Sequence, residues 1–221
     1  MKINTYTAGP FEANCYIVES DGETAVIDCG GFTKEIEERL ENVKVRYILC
    51  THGHADHILG VYDLKQAHPE AQTVIHELDR EYCESDRIHR LDSAIIYAGI
   101  EQPENERFYN NAHYMSPDIT VKEGDRLYLG KTEIHVLHTP GHSKGSVCYY
   151  FPEEHTLFSG DTLFCLTVGR TDLYGGSDEE LLDSITRLYK MMGIRDIYPG
   201  HNRETTMDYE KRRNRYMRRF R

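Results

Sequence analysis

Three observations predict a mixed α/β fold built as one domain. Short apolar runs bounded by glycine, proline and aspartate alternate with patterns of helical period. The length of 221 residues suits one substantial core and is short for two. No fixed-period repeat or low-complexity linker divides the chain, so residues 1–221 are expected to form a single unit.

The elements follow in chain order. Cys15 to Val18 and Thr24 to Ile27 read as a hairpin joined across Ser20-Asp21-Gly22. Gly30-Gly31 breaks the chain before a helix expected over Thr33 to Val43, where Ile36, Leu40 and Val43 share one face. A strand at Tyr47 to Cys50 runs into a histidine-rich turn and then an amphipathic stretch from Ile58. Further strands are expected at Thr73–His76, Arg126–Leu129, Glu133–His138, Ser146–Phe151, Thr156–Ser159 and Asp196–Tyr198. The clearest helix follows Ser177, which forms a capping box with Glu180. Its stripe of Leu181, Ile185, Leu188 and Met192 ends at Gly193 and reads as core packing. The segment from Asp79 to Pro117 stands apart, rich in tyrosine and charge, with a moderately helical Ile88 to Ile100. It reads either as a surface excursion closing over the core or as a lid shaping a pocket.

Composition narrows the function classes. A net charge of -11 argues against a general nucleic-acid binder, which shows a basic face. The basic side chains of Lys211 to Arg221 are expected to be a solvated helix end. An RNA or acidic partner there would show steep salt dependence. Cys15, Cys29, Cys50, Cys83, Cys148 and Cys165 include no CxxC spacing, and neither a signal peptide nor a bilayer-spanning apolar run is present. The expectation is a cytoplasmic protein with reduced, mostly buried thiols and no membrane partner.

The most informative run is Thr51-His52-Gly53-His54-Ala55-Asp56-His57, at the passage from strand to helix. His52 and His54 are two apart, so in extended backbone both side chains point the same way. Asp56, a natural N-cap, and His57 sit where a helix begins and can aim at a second point nearby. Packed together without a cation, these groups would need costly desolvation or would repel when protonated. One short turn can therefore serve two adjacent metal ions. His135 and His138, by contrast, read as ordinary strand residues. Three more candidate ligands each follow a strand-like run and stand beside glycine: His142, Asp161 and His201. Asp28, after a strand and before Gly30-Gly31, reads either as a partner to a histidine ligand or as a plain turn residue.

The chain resembles the metallo-β-lactamase superfamily, and within it the glyoxalase II-like hydrolases. The resemblance lies in His52-Gly53-His54-Ala55-Asp56-His57, Thr139-Pro140-Gly141-His142-Ser143, Ser159-Gly160-Asp161-Thr162-Leu163-Phe164, Gly169-Arg170-Thr171-Asp172-Leu173 and Pro199-Gly200-His201. Ala13-Asn14-Cys15-Tyr16 and Ile27-Asp28-Cys29-Gly30-Gly31 also fit. The resemblance implies a four-layer αββα sandwich with a dinuclear site on the open edge between two sheets. It implies that His52, His54 and His142 bind one metal, that Asp56, His57 and His201 bind the other, and that Asp161 bridges them. Zinc leads among the ions, with iron and manganese compatible with the same donors.

The implied chemistry is hydrolysis of a carbonyl ester, with a thioester such as S-lactoylglutathione leading. Asp56 would also orient the attacking water. Arg170 falls near where those enzymes place a basic residue facing the thiol peptide, so it is expected either to grip an anionic substrate or to stiffen its loop by pairing with Asp172. Cys165 is expected to be packing rather than pocket lining. Two related readings share these ligands, a persulfide dioxygenase with one iron and an acyl-homoserine-type lactonase. A nuclease of the RNase Z kind or a flavin-linked module would need regions this sequence lacks.

Overall fold

The computed structural model describes residues 1–9, 11–96 and 112–220. One sheet is built from β1 (Lys2–Ala8), β2 (Ala13–Ser20), β3 (Glu23–Ile27), β4 (Val45–Leu49), β5 (Gln72–His76) and β6 (Ile119–Val121), side by side in that order. β1 to β3 are antiparallel, and β3 to β6 run parallel. The parallel crossovers carry helices α1 (Lys34–Leu40), α2 (Ala55–Ile58) and α3 (Val61–Ala67), with α4 (Arg80–Glu84) and α5 (Arg87–Ile96) leaving β5. The second sheet contains β7 (Arg126–Leu129), β8 (Thr132–His138), β9 (Val147–Phe151), β10 (Thr156–Gly160), β13 (Asp196–Pro199) and β14 (Thr205–Thr206), in the spatial order β14-β13-β10-β9-β8-β7. Between β10 and β13 lie a small hairpin, β11 (Leu163–Phe164) with β12 (Thr167–Val168), and helix α6 (Asp178–Lys190). Helix α7 (Met207–Arg213) follows β14.

Side chains alternate across each strand, and this sorts the core into three layers. Ile17, Val26, Ile48 and Ile75 pack beneath Ile36 and Leu40 of α1 and Leu64 of α3. Their neighbours Tyr16, Val18, Ile27 and Leu49 face the other way, against Val136, Tyr149, Phe151 and Phe158 of the second sheet. On the far side of that sheet, Cys148, Leu157 and Ile197 pack against Leu181, Ile185 and Leu188 of α6 and Met207 of α7. Helices, two sheets and helices give the αββα sandwich that the resemblance implies.

Ser177 caps α6 by accepting from Glu180 N, one half of the expected capping box, while Ser177 N bonds to Gly141 O rather than to the Glu180 side chain. Three expectations need correction. α1 ends at Leu40, so Val43 packs from the following turn. Met192 does not join the α6 stripe: the chain turns extended at Met191, leaving Met192 88% exposed. Asp56 lies inside the first turn of α2 and is not its cap; His54 holds that position, with no side-chain cap bond. The carboxylate of Asp56 is turned toward His201 instead. The helical reading of Ile88 to Ile100 holds as far as Ile96, and the rest lies outside the described residues. The six cysteines are free, five of them buried. Among the described residues no helix is long and apolar enough to cross a membrane.

Candidate metal centre

The two sheets meet at one edge, and the segments after β4, β8, β10 and β13 all open there. Tyr149 donates its hydroxyl to Cys50 O at 2.9 Å, and Val147 N bonds to Thr51 O at 2.8 Å. Asn14 reaches across to Pro199 O at 2.9 Å and Asn202 O at 2.8 Å, while Tyr16 donates to Pro199 O at 2.6 Å. The early Ala13-Asn14-Cys15-Tyr16 run thus holds the loop that presents His201. Gly200 lets that loop press in: a Cβ there would stand 2.1 Å from Asp161 Oδ1 and 2.7 Å from His57 Cε1.

The structure brings the seven sequence-derived candidates together. One nitrogen each from His52, His54 and His142 lie within 4.8 Å of one another, as do donor atoms of Asp56, His57 and His201. A third such group, His52, His57 and Asp161, overlaps both. Asp161 stands between them, with Oδ1 3.4 Å from His57 Nε2 and Oδ2 3.4 Å from His142 Nε2 and 3.7 Å from His201 Nε2.

The outward nitrogens fix how the rings point. His142 Nδ1 lies 2.7 Å from Arg170 O, a carbonyl that can only accept, so this nitrogen carries the hydrogen and Nε2 keeps its lone pair. Asp28 takes hydrogen bonds from Thr51 N at 2.8 Å and Thr51 Oγ1 at 2.7 Å, and lies 3.0 Å from His57 Nδ1. Thr51 Oγ1, its proton given to Asp28, accepts from His52 Nδ1 at 3.0 Å. Asp28 therefore has the supporting role that the sequence left open: it is a direct partner to His57 and reaches His52 through Thr51, rather than being a bare turn residue.

With their outer nitrogens so engaged, His52 and His57 turn their Nε2 atoms inward, and among the described residues neither Nε2 has a hydrogen-bond partner. Asp161 Oδ1 is likewise buried without one. Buried unpaired acceptors converging on one point are the donor set of a cation. The electrostatics agree. Burial and the neighbouring histidines hold His52 well below its usual pKa, and burial with His142 does the same for His54, which leaves both neutral. Burial opposes charge on His57, yet Asp56, Asp161 and Asp28 outweigh it and raise its pKa to about 10. Burial also opposes ionisation of Asp56, but His57 and His201 keep it well below the usual carboxylate range. The carboxylates call for positive charge, and the residues fit two divalent ions.

Beside this centre opens a cavity of about 330 Å³ lined by Phe11, His89, Asp92, Phe164, Arg170 and Leu173 along with every candidate ligand but His52 and His57. Arg170 forks onto Asp172 at 2.6 and 2.7 Å while facing the cavity, so the loop-stiffening role and the pocket position coexist. Cys165 lies outside the lining and accepts from Arg203 Nε at 3.4 Å. The Asp79–Pro117 segment is a pocket wall through His89 and Asp92.

Two residues of that segment escaped the sequence reading. Asp79 is fully buried and takes hydrogen bonds from Gly53 N, Ser143 Oγ and Gly145 N, tying the loop of His52 and His54 to that of His142. Asp92 sits in α5, and burial pushes its pKa up to about 6. The signal for Asp92 was present: Ile88, His89 and Asp92 share one face at helical spacing, and an acid on a buried face is out of place unless it has a partner.

An αββα sandwich with a buried His/Asp cluster at its open edge defines a metal-dependent class. The chain belongs to the metallo-β-lactamase superfamily, whose family model matches residues 8–201, and is a metallo-hydrolase of that kind. It is 30% identical to a Haemophilus influenzae protein named hydroxyacylglutathione hydrolase GloC, over 98% of both chains. Among solved structures it is similar to the BLEG-1 B3 metallo-β-lactamase, at a TM-score of 0.82 and 30% identity, covering 98% of this chain and 99% of that one. It is also similar to TTHA1623 in a di-iron-bound form, at a TM-score of 0.78 and 32% identity, covering 96% and 99%.

Proposed function

We propose that the protein is a dinuclear hydrolase of carbonyl esters, with thioesters of the hydroxyacylglutathione type as the leading substrates. The observation that carries this reading is the pair of donor groups joined by a third that shares a residue with each. His52, His54 and His142 would hold one ion, Asp56, His57 and His201 the other, and Asp161, within reach of both, would bridge them. When bound, two such ions lower the pKa of water and polarise a carbonyl oxygen. The residues do the rest. Asp56, kept ionised, accepts the proton of the attacking water and orients it toward the substrate. Phe11, Phe164 and Leu173 offer an apolar wall to the acyl group. Arg170, held by Asp172, presents its guanidinium to an anionic substrate end. The name of the Haemophilus influenzae relative supports the thioester, and the di-iron-bound form of TTHA1623 supports keeping iron beside zinc among the candidate metals.

Metal quantification on freshly purified protein, paired with a panel of thioesters, lactones and β-lactams, tests the reading. Two ions per chain, thioester hydrolysis, and loss of activity in His54→Ala and Asp56→Ala with an intact fold by circular dichroism are expected. A single iron with oxygen uptake on glutathione persulfide would overturn it in favour of a dioxygenase. Turnover confined to lactones would move the substrate to that class.

A further inference from the structure

The candidate ligand histidines from the β4 and β8 loops each have an orienting group behind the ring, with one exception. His52 leans on Thr51, His57 on Asp28 and His142 on the Arg170 carbonyl. Those three partners come from the sheet edge or the loops beside it. His54 has none there.

His54 Nδ1 points inward, 2.8 Å from His142 Nε2. Since His142 carries its hydrogen on Nδ1, two arrangements remain for His54. If its hydrogen is on Nδ1, its Nε2 lone pair faces the carboxylate of Asp92, whose Oδ2 lies 3.6 Å away. If its hydrogen is on Nε2, that N–H faces the carboxylate, and the Nδ1 and His142 Nε2 lone pairs converge with that of His52. The first arrangement lets Nδ1–H donate to His142 Nε2 but sets a lone pair against the carboxylate. The second removes that clash and sets two lone pairs 2.8 Å apart, which a cation between them reconciles as part of a three-nitrogen donor set. Asp92 suits the task. It is 4% exposed, its Oδ1 is anchored by Tyr174 N at 2.9 Å, and among the described residues neither its Oδ2 nor His54 Nε2 has a hydrogen-bond partner.

We infer that Asp92 is the positioning residue for His54, holding Nε2–H so that Nδ1 faces the ion bound with His52 and His142. The helical wall of the pocket is then part of the metal centre, and the placement of α5 governs how firmly one of the two ions is held. Tyr174 joins the arrangement from the other side, since its N–H sets the carboxylate. Orienting partners of this kind are worth roughly 10–100-fold in metal affinity.

This inference rests on the dinuclear reading, and chelator competition on the metal-loaded full chain separates the two. Wild-type protein that retains no ion would overturn that reading. With two ions bound in the wild type, Asp92→Ala is expected to weaken one ion by roughly 10–100-fold and leave the other as it was. Asp92→Asn keeps an oxygen for Tyr174 N at the Oδ1 position but sets an amide NH2 where Oδ2 faces His54 Nε2, so it should weaken the same ion as Asp92→Ala does, by a similar factor. The melting temperature of the metal-stripped protein should be similar in all three. Unchanged affinities in Asp92→Ala, an Asn variant that holds both ions as the wild type does, or equal weakening of both ions together with a lowered melting temperature would each overturn the inference.

Discussion

Asp28 concentrates the demands made on a single residue. It leaves β3 at a φ of 57°, in the left-handed region, and from there accepts from Thr51 and stands behind His57. Asparagine tolerates that backbone region and keeps an acceptor oxygen, but it loses the charge that favours a cationic centre. Asp28→Asn should therefore keep its fold and lose roughly 10–100-fold in metal affinity, measured by the same chelator competition. Asp28→Ala removes the acceptor as well, leaving Thr51 N and Oγ1 buried without it, so it should also be clearly less stable in urea. A variant pair with the reverse order would show that Asp28 serves the backbone turn and not the histidine.

At the scale of elements, α6 is tied to the site by its start. Ser177 Oγ accepts from Glu180 N, and Ser177 N bonds to Gly141 O, next to His142. Ser177→Ala should cost about 1 kcal/mol, and Met192→Lys, at the other end, less than about 0.5 kcal/mol in the same urea titration. A large effect at Met192 would restore it to the core stripe. Local signals of this sort made most of the fold legible: the capping box, the hairpin glycine, and the alternation that sorts Ile17 from Tyr16 and Val18. The seven ligand candidates were legible for a related reason, because each follows a strand beside a turn and so reports its place at the sheet edge. What the sequence hid are pairings without a local period. Asp79 to Ser143 and Asp92 to His54 join segments far apart in the chain, and the three-residue β6 is too short for alternation to register. β1 was missed because Lys2–Ala8 is mostly half-exposed and polar, with little apolar pattern to read.

Across the whole molecule, the two sheets are clamped at several points, and one of these answers to pH. His76, at the end of β5, stacks on His138 of β8, with ring centroids 4.1 Å apart and planes within 13°. Its Nδ1 accepts from Leu78 N at 3.2 Å, which only the neutral ring can do, while His138 Nε2 donates to Lys144 O at 2.9 Å. Burial, aided by His138, lowers the His76 pKa to about 4 despite the opposing pull of Asp125 and Glu123. In the unfolded chain the same ring titrates near the usual value of about 6.5. Between those two values the unfolded chain binds a proton that the native chain refuses. The contribution of His76 to stability is therefore complete above about pH 6.5 and is lost progressively as pH falls toward 4. His76→Asn keeps a side-chain acceptor for Leu78 N and removes the titrating ring. The loss of unfolding free energy between pH 7 and pH 4.5, measured in urea on metal-stripped protein, should be smaller in that variant than in the wild type. Stripping the metals matters because metal binding is itself pH-dependent and would add its own slope wherever the two proteins differ in metal content. Equal slopes would show that acid weakens the clamp between the sheets somewhere other than at His76.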